Sequence, residues 1–353
     1  MVRRAWDCQP ELVNVRHCDW RRSFLLRMSA GQSLVTRRWN AVLVHLWEYM
    51  AMAETRGSEI DIDEALIACL LEEQAPHLAG LPVTKVRDGW DNAVWRLGDV
   101  LAIRITRRAV AVDLHRHEQR WLPVLAPGLP LPVPAPVIVG LPSAQFPWPW
   151  SVVPWFEGDT AAVAPAFPSE APALGGFLAA LHVPAPEDVA SNPSRGGPLL
   201  SRRDAVTIWA EQALTSGDES LISEAVGIFN AGLLAATATE RVWIHGDLHP
   251  RNVLVSQGRL SAVLDWGDVT AGDAAADLAA VWWLFDPDVH GDFWSAYHPV
   301  SPATWHRARA WAALFGLSFL TFTLPGDPAT PDTRAHDLGR RQLHRVVAER
   351  QAP

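Results

Sequence analysis

Residues 242–278 read VWIHGDLHPRNVLVSQGRLSAVLDWGDVTAGDAAADL. Three polar residues in this stretch stand at an informative spacing: Asp247, Asn252 five positions later, and Asp265 thirteen positions beyond that, in an Asp-Trp-Gly triplet. Between the last two, residues 253–255 and 260–264 read as short strands around the turn Ser256-Gln257-Gly258-Arg259, the pattern of a hairpin. Such a hairpin returns Asn252 and Asp265 to the same end. An amide oxygen and a carboxylate gathered there are hard ligands suited to the near-octahedral shell of Mg2+. Asp247 is left to accept the proton of a hydroxyl.

Each piece has a plainer reading. A lone Asp-Leu-x-x-x-Asn is usually a turn or a helix cap, and only the joint pattern is specific. His245 reads as a structural residue that orients the loop. His245, Asp247 and His249 alternate, so on a strand they would share a face and could ligate zinc in a hydrolase. That alternative leaves Pro250, Asn252 and Asp265 without a purpose.

Working outward, residues 61–74 carry Ile62, Leu66, Leu70 and Leu71 at helical spacing. Residues 84–86 and 93–97 read as strands around Asp88-Gly89-Trp90-Asp91-Asn92, and Leu101-Ala102-Ile103-Arg104 as a third strand. Residues 112–125 read as a helix. Ten prolines fall in 123–154, which limits that segment to edge strands, at 137–140 and 150–153, and rigid turns. Beyond it the pattern is helical: 174–181, 202–214, 219–236, 274–285, 302–322 and 334–349. A β-rich part followed by an α-rich part is an α+β arrangement.

Composition adds bounds. With 353 residues, 49% hydrophobic and 20% charged, the chain is long enough for two cores. No apolar run reaches the ~18 residues of a membrane span, and the N-terminus lacks the apolar core of a signal peptide. Cys8, Cys18 and Cys69 have no metal-type spacing, which suggests a reduced, cytoplasmic setting. The net charge is −9, yet residues 1–51 hold eight Arg against four Asp or Glu, so the remainder is more acidic still. That balance argues against nucleic acid as a partner. It suits a cationic small molecule and equally serves solubility. All four methionines lie in the first 52 residues. This points to a natural start at or near Met52, with 1–51 an atypical extension whose removal leaves folding and activity intact.

The segment 244–278, His-Gly-Asp-Leu-His-Pro-x-Asn and then Asp-Trp-Gly, resembles the catalytic core of the aminoglycoside phosphotransferase family, the small-molecule branch of the protein-kinase-like fold. Arg251 departs from it where relatives often carry Gly. The resemblance extends from about residue 61 to near the C-terminus. It implies a two-lobed α+β fold: a small β-rich lobe with one helix over 52–154, a hinge at 155–158, and a larger helical lobe over 159–353.

The same resemblance implies chemistry. Asp247 would be the catalytic base, with Asn252 and Asp265 on Mg2+. Kinases place Lys on the third strand to bind phosphates and pair with a helix Glu. Here the chain's only lysine is Lys85, so Arg104 would take that place with Glu118 as its partner, a chemically sound exchange. Gly89, Trp90 and Asn92 would lie over the nucleotide, ATP or GTP, and the backbone near Val153 and Trp155 would bind its base. Asp265 is followed within twelve residues by Asp277, which leaves no room for the peptide platform of protein kinases. The acceptor is therefore expected to be small: an aminoglycoside, a macrolide or other antibiotic, or a metabolite such as choline or a sugar. Asp273 and Asp277 read as shaping and capping the helix that follows. The loop 192–199 and Asp286, Asp288 and Asp292 are expected around the acceptor. The zinc hydrolase and an inactive nucleotide-binding module remain alternatives.

Overall fold

A computed structural model describes residues 58–189, 192, 195–214, 217–324 and 327–350, all within the compact unit Met52–Pro353. The reading of 1–51 as an extension lies outside the described residues.

Helix α1 (Glu64–Gln74) opens on Asp63, whose side chain accepts from the N–H of Leu66 at 2.8 Å, a cap that satisfies one of the helix's orphan donors. Strands β1 (Val83–Asp88), β2 (Asn92–Leu97) and β3 (Leu101–Thr106) follow, then helix α2 (Val112–Leu125), β4 (Ile138–Gly140) and β5 (Trp150–Pro154). They form one antiparallel sheet in the order β1-β2-β3-β5-β4. Register divides its faces. Trp95, Ile103 and Val152 stand opposite one another and pack with Ile67, Leu70 and Leu71 of α1. Val94, Arg104 and Ser151 form the neighbouring row, which faces the other way because strand side chains alternate. The segment before β5 yields only the three-residue edge strand β4, as its prolines suggest, but β5, also expected as an edge strand, is internal, paired with both β3 and β4. Pro123 falls inside α2.

The second lobe contains β6 (Asp159–Thr160), α3 (Ala171–Leu181), α4 (Arg203–Ala213), α5 (Glu219–Leu234), β7 (Val242–Ile244), β8 (Val253–Ser256), β9 (Arg259–Val263), β10 (Thr270–Gly272), α6 (Ala275–Leu278), α7 (Ala280–Leu284), α8 (His290–Tyr297), α9 (Pro302–Phe319) and α10 (Thr333–Ala348). Helix α9 is buried along most of its length and packs against both α5 and α10. The α9–α10 contact is close: a Cβ on Gly339 would lie 2.7 Å from the carbonyl oxygen of Gly316. Most helices begin and end within three residues of their expected bounds. The segment 274–285 differs, because the chain breaks at Ala279 into α6 and α7; apart from Asp277 it is apolar throughout and carries no periodicity that would reveal such a break.

The outcome is a β-rich lobe followed by a helical lobe. Among the described residues no helix is long and apolar enough to cross a membrane, and Cys69 is a free thiol.

Candidate active site

Strand β7 leads into the loop that carries Asp247. It pairs with β10 through Ile244 and Thr270, and Asp277 of α6 then fixes the loop's backbone. Its buried carboxylate accepts from the N–H of His245 at 2.6 Å and from that of Gly246 at 2.9 Å. Asp277 is thus an anchor of the catalytic loop, not the helix-shaping residue expected; Asp273 does act locally, accepting from the N–H of Ala275 at 3.1 Å while pairing with Arg307 at 2.6 Å. His245 bears out its structural reading. Nε2 donates to the carbonyl of Leu264 at 2.9 Å and Nδ1 accepts from the N–H of Asp247 at 3.2 Å, with the ring 4.7 Å from that of Trp266. Both nitrogens being spent on the backbone, His245 is no metal ligand. Among the described residues no group of three or more His, Cys, Asp or Glu is arranged for a metal, so the zinc hydrolase finds no site.

The hairpin forms as the sequence indicates, β8 against β9 with Val253 opposite Val263. Its turn has positive φ at Gln257 and Gly258, the geometry of tight hairpins. The N–H of Leu264 donates to the carbonyl of Asn252 at 2.7 Å, so Asn252 and Asp265 emerge side by side. Asn252 Nδ2 donates to the carbonyl of Asp247 at 2.9 Å, leaving Oδ1 as the amide's acceptor. Asp265 has φ +62°, a left-handed backbone that costs a non-glycine residue about 1–2 kcal/mol. The buried Trp266 beside it, Nε1 donating to Val263 at 2.9 Å, holds the turn.

Arg104 reaches across from β3. Its Nη2 lies 3.1 Å from Glu118 Oε2 and 3.1 Å from Asp265 Oδ1, so the expected pair forms and also touches the Asp-Trp-Gly turn. Burial pushes the Glu118 carboxyl up, against the pull of Arg104, to about 7. Burial disfavours the charged guanidinium of Arg104, but Glu118 and Asp265 outweigh it and raise its pKa. Arg104 Nε is buried without a hydrogen-bond partner. An orphaned cationic donor here, with the oxygen donors of Asn252 and Asp265 alongside, fits a Mg2+-bound polyphosphate.

The other expected nucleotide contacts are partly redirected. Gly89 closes the β1–β2 turn by donating to the carbonyl of Asn92 at 2.9 Å, and Trp90 is 39% exposed at its tip. The side chain of Asn92 points instead to α2, accepting from His115 Nδ1 at 3.0 Å. His115 Nε2 in turn meets Ser151 Oγ at 2.9 Å. Burial, reinforced by Arg104, lowers the His115 pKa to about 3, so the ring is neutral. The N–H of Trp155 donates to Val100 at 2.9 Å, and by strand alternation Val153 faces the same neighbour. Neither N–H is available to a base. By the same alternation the carbonyl of Pro154 points away from β3.

The loop 192–199, expected around the acceptor, reaches Asp247 through Arg195, a residue the sequence reading did not single out, and Asp268 was missed altogether. Arg195 Nη2 lies 3.0 Å from Asp247 Oδ1, and its Nε lies 3.3 Å from Asp268 Oδ2. Asn192 Nδ2 donates to Asp268 Oδ1 at 2.7 Å. Gly196, at φ +61° and with no room for a Cβ beside Ile244, fixes the backbone next to Arg195. Burial alone would raise the pKa of Asp247, but Arg195 and then His249 hold it well below the usual carboxylate range. Beside Asp247, a small cleft is lined by Leu248, His249, Trp283, Phe315 and Phe319. Of the acidic cluster expected here, Asp286 pairs with Arg345 of α10 at 2.7 Å instead. Arg251, the departure from the motif, pairs with Asp332 at 2.9 Å and leaves the loop intact.

A sequence profile of the phosphotransferase enzyme family matches residues 82–311, more than half of the chain. The chain belongs to that family. No curated protein matches it by sequence. Among solved structures, the GDP complex of wild-type aminoglycoside 2′-phosphotransferase-IIIa is 15% identical, covers 81% of this chain and 99% of its own, and has a TM-score of 0.58. The apoenzyme of macrolide 2′-phosphotransferase MphH from Brachybacterium faecium is 22% identical over 82% of this chain and 100% of its own, with a TM-score of 0.51. At these identities the likeness is one of fold, and this phosphotransferase has the two-lobed, kinase-like fold.

Proposed function

We propose that this phosphotransferase transfers the terminal phosphoryl group of ATP or GTP, held with Mg2+, to a hydroxyl of a small molecule. The observation that carries the reading is the meeting of Arg104, from the sheet, with Asp265 of the Asp-Trp-Gly turn at 3.1 Å, beside Asn252 and Asp247. Mg2+ held by Asn252 Oδ1 and the Asp265 carboxylate would neutralise charge on the phosphate oxygens. Arg104, kept in place by Glu118, supplies guanidinium donors to the phosphates. Asp247 accepts the acceptor's hydroxyl proton as its oxygen attacks phosphorus, and the nucleoside diphosphate leaves. Asp277, through the N–H groups of His245 and Gly246, holds Asp247 in line. The carbonyl of Pro154 addresses the base. Its nucleotide supply assigns the enzyme to the cytoplasm.

The short path from Asp265 to Asp277 supports a small acceptor. Aromatic walls and the cation Arg195 beside Asp247 favour an acceptor with an apolar body and few positive charges over a polycation. The test is a screen of hydroxylated antibiotics and metabolites with ATP and with GTP, reading nucleoside diphosphate release and the phosphorylated product by mass spectrometry. We expect Mg2+-dependent product from at least one acceptor. Tight nucleotide binding with no turnover of any acceptor would instead favour an inactive nucleotide-binding module.

A further inference from the structure

A β-bulge in β1 re-aims one arginine. Lys85 stands opposite Trp95, but the register then shifts, and Arg87 stands opposite Val94. Two residues apart on a regular strand, Lys85 and Arg87 would share a face; the extra residue of a bulge breaks that rule. Lys85 follows the row of Trp95, packed on α1, and lies over the Trp95 ring at 5.7 Å. Arg87 follows the row Val94, Arg104 and Ser151, the row that faces Asp265. Two strand spacings, about 9–10 Å, separate its backbone from that of Arg104.

The electrostatics agree with the register. Desolvation lowers the pKa of Arg87, the charge of Asp265 raises it and that of Arg104 lowers it, which puts the guanidinium within electrostatic reach of both. It is exposed and, among the described residues, makes no hydrogen bond or ion pair. Arg104, in contrast, is already balanced by Glu118 and Asp265. Arg104 and Arg195 are thus matched locally by carboxylates, whereas Arg87 has no ion-pair partner among the described residues. The β1–β2 turn beside it contains a single glycine, Gly89, and offers few of the bare backbone N–H groups that cradle phosphates in glycine-rich loops.

We propose that Arg87 is a nucleotide-phosphate ligand, aimed into the cleft by the bulge in β1, and that with Arg104 it grips the polyphosphate from two sides. The inference rests on the nucleotide-dependent reading above. Arg87 supplies a planar, permanently charged donor pair to phosphate oxygens, and its affinity contribution belongs to the phosphates alone, not to the nucleoside.

The experiment is calorimetric titration of the full chain and of the variants Arg87→Gln and Lys85→Gln with ATP, GTP, adenosine and guanosine in the presence of Mg2+. Both substitutions are at exposed positions of an edge strand, and unchanged thermal midpoints would verify that the variants fold. Arg87→Gln is expected to weaken the bound triphosphate at least ~10-fold, the worth of a charge-assisted hydrogen bond, with nucleoside affinity unchanged. Lys85→Gln removes the same charge from the other face and is expected to change neither. Triphosphate affinity within twofold of wild type in Arg87→Gln, or an equal loss in Lys85→Gln, would overturn the proposal while leaving the nucleotide reading in place. Failure of the wild-type chain to bind either triphosphate would remove that reading and this proposal together.

Discussion

At the scale of single residues, the site is held by carboxylates in three different settings. Asp247 sits between Arg195 and His249, Asp265 touches Arg104 in a left-handed turn, and Asp277 is buried under two backbone donors. Asp277→Ala would leave the N–H groups of His245 and Gly246 buried without partners, at about 1–3 kcal/mol each. We expect a loss on the order of 2–6 kcal/mol in urea unfolding together with a lower kcat, and an unchanged unfolding midpoint would refute the anchoring. Asp265→Asn is expected to abolish the Mg2+-dependent part of nucleotide affinity, measured by titration with and without Mg2+. Equal Mg2+ enhancement in the variant would remove Asp265 from the metal site. The motif residues were legible because their spacing lies within one hairpin. Asp277 was misread because a carboxylate at a helix start has a sufficient local explanation, whereas its partners lie 31 and 32 residues upstream. Arg195 lay in a loop expected around the acceptor, but its pairing was not legible, since tertiary closure alone brings it to Asp247 and Asp268.

At the scale of elements, α2 is fastened to the sheet by a neutral histidine. His115 has an ordinary value of 6.5, lowered to about 3 in the fold. Below pH 6.5 the unfolded chain therefore binds a proton that the folded chain refuses, so stability is complete above 6.5 and is lost as pH falls toward 3. The steepest slope for one such group is about 1.4 kcal/mol per pH unit. We expect the difference in unfolding free energy between wild type and His115→Gln to shrink by this dependence on acidification, followed by urea titration between pH 4 and 7 (about neutral to acid,). A difference independent of pH would show that His115 does not titrate on unfolding. Elements themselves were readable where a turn signal separated short apolar runs, as in β8 and β9, or where the helical period was clear, as in α5. The break at Ala279 and the re-aimed backbone of β1 were not. One hides in a run that is apolar but for Asp277, and the other is a one-residue insertion visible only against its partner strand.

At the scale of the whole molecule, the order of a β-rich part before an α-rich part indicated only an α+β arrangement, and the two-lobed fold was expected from the resemblance carried by the joint motif. The small cleft beside Asp247 draws its aromatic walls from α7 and α9, segments that no local pattern in the motif announces. Asp265 and Asp268 also stand near Asp247, so carboxylates and aromatic side chains share the site. The central claim is that Asp247 takes the acceptor's proton in a nucleotide-dependent phosphoryl transfer. It is tested most directly by kcat and nucleotide affinity of Asp247→Ala with the best acceptor from the screen. A fall in kcat of about 10²-fold or more with nucleotide affinity unchanged is the expected result, and a variant that keeps most of its kcat would contradict the account.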